Sequence, residues 1–269
     1  MNNSLEIPKI IHLCWFSGDE YPEIIKKCIK SWEQTLPDFK IKIWTKEMAL
    51  ETNIKFVKEA ISVQKWAFAA DVIRLYALYT EGGVYMDSDI AIRNRFDTFM
   101  TNQLVLFQEF HKRIVKNSKN NSIDKNGNNK NHGQSVDGIG IQAAFMISVK
   151  GHPFIKELLS YYENLNFIHD DGSFHMNIIA PSIYAIKAEE IGYKYIDNIQ
   201  HLNNITIYPS KYVASSFEEI NKENFALHCT YHSWYKPSII QKIKSTIKKI
   251  LNKKTNNIIT IIDNFLKIK

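Results

Sequence analysis

A single α/β domain is what this sequence predicts, and three features predict it. Near the N-terminus, Lys9 to Phe16 and Lys40 to Trp44 read as strands, and Glu23 to Trp32 between them places Ile24, Ile25, Cys28, Ile29 and Trp32 at helical spacing. Strand, helix and strand at this separation imply a parallel pair joined by a crossover. Further along, residues 66 to 80 are apolar on nearly every face of one helix, which Gly82 and Gly83 break before a short strand, Val84 to Met86. Finally, 269 residues with 45% hydrophobic content can bury one sizeable core, whereas two enzymatic domains would be cramped.

The remaining elements are read in order. Leu104 to Gln108 and Ala144 to Val149 are strand candidates, and Phe154 to Tyr162 and Ser182 to Glu190 are helices. The Asn-rich stretch 113–135 cannot build a core and reads as a long flexible polar loop, disordered or a lid. Cys14, Cys28 and Cys229 lack metal-ligand spacing and are odd in number, so free thiols are expected. Met1 to Glu6 has no basic leader and no run reaches membrane-span length, so the expected location is the cytoplasm.

The net charge of +6 does not imply nucleic acid. Residues 239–269 hold eight lysines against one aspartate, which leaves residues 1–238 near neutral. In that tail Ile239, Ile240, Ile243, Ile247, Ile250 and Leu251 recur at helical steps among lysines, and a second apolar stripe runs from Ile258 to Ile268. The pattern is a basic amphipathic helix, suited either to peripheral association with an anionic membrane at its inner face or to packing on the domain.

Charge inside the apolar helix is the strongest functional signal. Asp71 and Arg74 lie three residues apart on one helical face, and buried charges are costly unless paired. The following strand runs into Asp87-Ser88-Asp89, where residues i and i+2 of an extended chain point the same way and offer oxygen ligands to a hard divalent cation. Ligands of open α/β sheets bind beyond the carboxyl ends of strands, which puts Trp15 on the same rim.

These residues resemble a known family. Asp71-x-x-Arg74, Leu78-Tyr79 and Gly82-Gly83-x-Tyr85-x-Asp87-x-Asp89 resemble glycosyltransferase family 32, which carries a sugar-binding D-x-D motif and is distantly related to clostridial glucosylating toxins. Ile7 to Phe16, Gly151-His152-Pro153, Ala180-Pro181 and Ala226 to Trp234 resemble further family segments in order, so the resemblance spans about residues 7–236.

The resemblance implies a GT-A type nucleotide-sugar-binding fold, a Rossmann-like mixed sheet flanked by helices, over residues 1–238. It implies a retaining, metal-dependent transfer from a nucleotide sugar, most simply a UDP-sugar, to an oligosaccharide or lipid-linked glycan in bacterial surface polysaccharide synthesis, capsule or lipopolysaccharide. Asp71, Arg74, Asp87 and Asp89 would be the catalytic set. Trp15 would stack on the base, Tyr85 hold the ribose, and Ser233 and Trp234 close over the diphosphate. Manganese, or magnesium, would sit on Asp87, Asp89 and His228. The chain departs from the family at Cys229 and His232, and Ala143 falls where relatives have an amide, which leaves Gln142 as a substitute donor-binding residue. The alternatives are a non-catalytic protein holding calcium on Asp87, Asp89 and Glu81, and a toxin-like enzyme modifying a host protein.

Overall fold

The computed structural model describes residues 6–117, 122–230 and 258–268. Strand β1 (Ile10–Cys14), helix α1 (Glu23–Thr35) and strand β2 (Lys40–Trp44) form the expected parallel crossover, with Ile10 opposite Lys40 and Cys14 opposite Trp44. Two short helices, α2 (Lys46–Glu51) and α3 (Lys55–Ser62), lead into α4 (Trp66–Glu81). Strand β3 (Gly83–Met86) follows, parallel to β1.

The Gly-Gly pair is a geometric requirement. Gly82 and Gly83 adopt φ of +70° and +103°, and a Cβ on Gly83 would lie 2.6 Å from the Ile10 carbonyl oxygen. The break is also pinned from outside: Trp44 Nε1 donates to His12 Nδ1 at 3.1 Å, so His12 Nε2 carries the proton given to the Gly82 carbonyl at 2.8 Å. Here α4 ends and its successor strand enters the sheet in one step.

The chain then makes β4 (Ile90–Ile92), β5 (Leu104–Phe110), α5 (Lys112–Asn117), β6 (Ile139–Ile141) and β7 (Phe145–Ser148). Helices α6 (Pro153–Glu163) and α7 (Ala180–Glu189) precede β8 (Gln200–Leu202) and β9 (Ile205–Tyr208). The main sheet has the order β2-β1-β3-β7-β5-β9-β8, with β6 paired to β5. It is mixed: β1, β2 and β3 are mutually parallel, β7 is antiparallel to both β3 and β5, and β9 is parallel to β5. The expected α/β architecture, a mixed sheet flanked by helices, is present.

Alternation along the strands divides the interior into two cores. Tyr85, Leu104, Leu106 and Met146 face one, with α3, α4, α6 and α7; Val84, Met86, Val105, Phe107, Phe145 and Ile147 face the other, with Trp32 and Phe225. A second sheet, β10 (Val213–Ala214), β11 (Ala226–His228) and β4, lies beyond the second core.

Two segments show how composition and contacts differ. For 113–135, expected as a flexible polar loop, disordered or a lid, α5 occupies the start and residues 122–135 form a turn-rich loop. Glu189 holds this loop. Its carboxylate accepts from Asn129 Nδ2 at 2.9 Å, the Gly133 N–H at 3.2 Å and Tyr195 Oη at 2.6 Å, and pairs with His132. Asparagines that cannot fill a core can still satisfy one another through turns around a shared carboxylate. The end of the basic tail packs on the domain. Helix α8 (Ile258–Lys267) buries Ile262 and Phe265 against Ile24, Ile25 and Cys28 of α1 and Leu227 of β11, with Lys27 paired to Asp263. The lysine-rich part from 239 to 257 lies outside the described residues. Among those described, no helix is long and apolar enough to cross a membrane.

Candidate active site

The carboxyl ends of β1, β3, β5 and β9 share one edge of the main sheet, and the candidate residues gather there. Asp71 and Arg74 reach it from α4. Arg74, 5% exposed at its side chain, places Nη2 3.0 Å from Asp71 Oδ1 and 3.4 Å from Asp87 Oδ1. Its Nε donates to the Ala70 carbonyl at 3.2 Å, and the guanidinium carbon sits 4.8 Å over the Tyr85 ring. Tyr85 Oη donates to Asp87 Oδ1 at 2.8 Å. The buried cation is thus paired twice, which is what burial demands of it.

Burial raises the Asp71 carboxyl to about 6, against the opposing pull of Arg74. Below the pair, Tyr162 and Tyr184 bring hydroxyls with no hydrogen-bond partner among the described residues, in contact with the field of Asp71 and Arg74. In the sequence both tyrosines fall within ordinary helical stretches and are not singled out. Their phenol oxygens could have been noticed only by knowing which helices cover α4.

Asp87 and Asp89 converge, but not as two residues of an extended strand. The chain turns at Ser88, closed by the Ile90 N–H donating to the Asp87 carbonyl at 3.0 Å, and then leaves the main sheet for the small one. What brings Asp89 back is β11. His228 pairs with Ile90 in antiparallel register, and the Cys229 N–H donates to the Asp89 carbonyl at 3.0 Å. His228 Nε2 consequently lies 3.4 Å from Asp89 Oδ1. Burial would lower this imidazole, but Asp89, and more weakly Asp87, push it up to about 9.

One ligand atom each from Asp87, Asp89 and His228 lies within 4.8 Å of the others. Two carboxylates and an imidazole suit a divalent ion, and the proton that the acids hold on His228 marks where positive charge is favourable. The three residues therefore fit a metal. Glu81, the third ligand of the calcium alternative, is at the opposite end of β3 and pairs with Lys42 at 2.5 Å. That alternative loses its ligand set.

The other candidates are placed as follows. Trp15, half-buried beyond β1, donates Nε1 to the Asp19 carbonyl at 2.8 Å and meets Tyr21 edge-on at 4.7 Å. Gln142 is buried, its Nε2 donating to Ser215 Oγ at 3.1 Å. Ser233 and Trp234 lie outside the described residues. Gly151-His152-Pro153 serves the fold: His152 caps α6 by accepting from the Phe154 N–H at 3.2 Å. The three cysteines are free, with Cys28 Sγ 3.9 Å from Cys229 Sγ.

Sequence reading also missed a triad on the same edge. Glu109 Oε1 lies 2.8 Å from His111 Nε2, and His111 Nδ1 lies 3.2 Å from Glu219 Oε1.

Residues 22–106 match the family described as glycosyltransferase sugar-binding region containing DXD motif. That stretch, about a third of the chain, holds Asp71, Arg74, Asp87 and Asp89. It is 34% identical over 103 residues to inositol phosphoceramide mannosyltransferase 3 of Schizosaccharomyces pombe, covering 37% of this chain and 29% of that protein. To mannosyl phosphorylinositol ceramide synthase SUR1 of Saccharomyces cerevisiae it is 32% identical over 102 residues, 35% of this chain and 25% of that protein. The matched stretch is therefore a minor part of either relative. Among solved structures, PaToxG glycosyltransferase aligns with a TM-score of 0.45 and 17% identity over 68% of this chain and 69% of that one. The apo-form glycosyltransferase GlyE of Streptococcus pneumoniae aligns at 0.44 and 11% over 97% and 63%.

Proposed function

We propose that the chain is a GT-A type, metal-dependent, retaining glycosyltransferase that moves a hexosyl or N-acetylhexosaminyl unit from a nucleotide sugar to a glycan hydroxyl. The observation that carries this reading is the meeting of Asp87, Asp89 and His228 beside the buried Asp71–Arg74 pair at the carboxyl edge of the sheet. Asp71 accepts from donor-sugar hydroxyls and Arg74 donates to them, a pairing suited to a polyhydroxylated ring. Arg74 and Tyr85 also hold the Asp87 carboxylate in place. A divalent ion, manganese before magnesium, would be held by Asp87, Asp89 and His228 and would supply charge stabilisation for the leaving diphosphate. Trp15 offers an indole face at the rim for the base.

UDP-sugars are the first donors to try. GDP-mannose joins them because the yeast relatives are named for mannosyl transfer. Their names also specify an inositol phosphoceramide, which favours a lipid-linked acceptor here, as in bacterial surface polysaccharide assembly. Such an acceptor would bring a cytoplasmic enzyme to the inner membrane face, with the lysines between 242 and 254 near anionic headgroups. Flotation with anionic vesicles tests that placement. It should be lost when Lys242, Lys244, Lys248 and Lys249 become glutamate, and unchanged flotation would reject it.

The function itself is tested by screening nucleotide sugars for manganese-dependent hydrolysis. The wild type should hydrolyse at least one, and Asp89→Asn should lose about a hundredfold in turnover or more while folding normally. Hydrolysis by the variant at the wild-type rate would remove the site assignment.

A further inference from the structure

The Glu109, His111 and Glu219 triad is not part of the donor site, yet Glu109 stands at the same carboxyl edge of the main sheet. Glu109 lies near the end of β5, and the order β3-β7-β5 sets it two strand spacings, about 10 Å, from β3 and Asp87. Its charge reaches the metal-binding residues, since Glu109 is among the groups that raise His228.

The triad fixes Glu109 on one side only. Both nitrogens of His111 are engaged, Nε2 by Glu109 and Nδ1 by Glu219, and these bonds push the imidazole up to about 10, so it stands as a cation between two carboxylates. Glu219 is held in turn: its Oε2 accepts from the Ser215 N–H at 3.1 Å, and Ser215 Oγ accepts from Gln142 Nε2 at 3.1 Å. Glu109 uses Oε1 toward His111, is 19% exposed, and directs Oε2 to no partner among the described residues.

We propose that Glu109 is the acceptor-binding residue, its Oε2 receiving a hydrogen bond from the hydroxyl that attacks the anomeric carbon. His111 and Glu219 are positioning residues behind it. This rests on the glycosyltransferase reading. The acceptor oxygen bonds to the anomeric carbon while the bond to the diphosphate breaks with its electron pair, and the hydroxyl proton passes to a diphosphate oxygen. Glu109 orients the hydroxyl and takes no proton. A latch tying residues 215–219 to β5 would use the same contacts, but it has no need for an acid whose second oxygen is left without a partner among the described residues.

Water can stand in for the acceptor, so the test is manganese-dependent hydrolysis of the donor found active, with kcat and binding measured separately. Glu109→Gln should lower kcat by about tenfold to a hundredfold, the range expected when a reacting group is misoriented, while manganese and donor dissociation constants stay within about twofold. His111→Gln should lower kcat less, and it carries the test should Glu109→Gln fail to fold. Wild-type kcat in these variants would overturn the proposal, as would donor or manganese binding that weakens in step with kcat. If the wild type hydrolyses no nucleotide sugar, the transferase reading itself has failed, and this inference falls with it.

Discussion

The two walls of the candidate site are built differently. The donor wall, Asp71, Arg74, Tyr85 and Asp87, comes from one helix–turn–strand of seventeen consecutive residues, tied internally by Arg74. The far wall takes Asp89 from a turn, Glu109 and His111 from the end of β5, Glu219 from a loop and His228 from β11. The first is a local unit whose charges stabilise one another. The second exists only when distant strands have paired. The donor wall should therefore couple function tightly to stability, and the far wall should lose more chemistry than stability on substitution.

The largest effect on stability is expected at Arg74. Arg74→Met leaves Asp71 and Asp87 partly buried without their cation and should cost about 3 kcal/mol in a denaturant melt. A cost below about 1 kcal/mol would mean that the donor wall is not held by this ion pair. Trp15→Ala, at the rim, should weaken nucleotide binding by about 1–3 kcal/mol, the worth of an aromatic stacking platform. Early melting with normal nucleotide affinity would instead make Trp15 a packing residue.

The difference between the walls also explains what could be read from the sequence. Asp71 and Arg74 were legible because helical periodicity places them on one face, and Asp87 and Asp89 because a D-x-D pair keeps its two carboxylates within one short segment. The turn at Ser88 was not legible, because it follows from β4 joining β11 across more than a hundred residues. His228 emerged only through family resemblance. Glu109, Glu219 and Tyr184 carried no local signal at all, being ordinary residues of a strand, a loop and an apolar helix. The contacts of Glu189 with the 122–135 loop were missed for the same reason: composition reports what a segment lacks, not which carboxylate awaits it elsewhere.

A smaller effect separates the walls by pH. His111 is raised to about 10 in the fold, first by Glu109 and then by Glu219, from an unfolded value near 6.5. The folded state therefore binds its proton more tightly. The resulting stabilisation is fully present below about pH 6.5 and fades as pH rises through about 10. His111→Gln should lower Tm most at pH 6, with the gap to wild type closing by pH 10. A gap independent of pH would show that His111 is not held as a cation.

The claim that both walls form one site is tested most directly by titrating manganese, with the matching nucleoside diphosphate present, into the wild type, Asp87→Asn, Asp89→Asn and His228→Asn. Donor-wall and far-wall variants alike should lose about tenfold or more in manganese affinity, since each removes one ligand from a three-residue set. Wild-type affinity in His228→Asn, with loss confined to the two aspartates, would contradict the account and leave β11 outside the metal site.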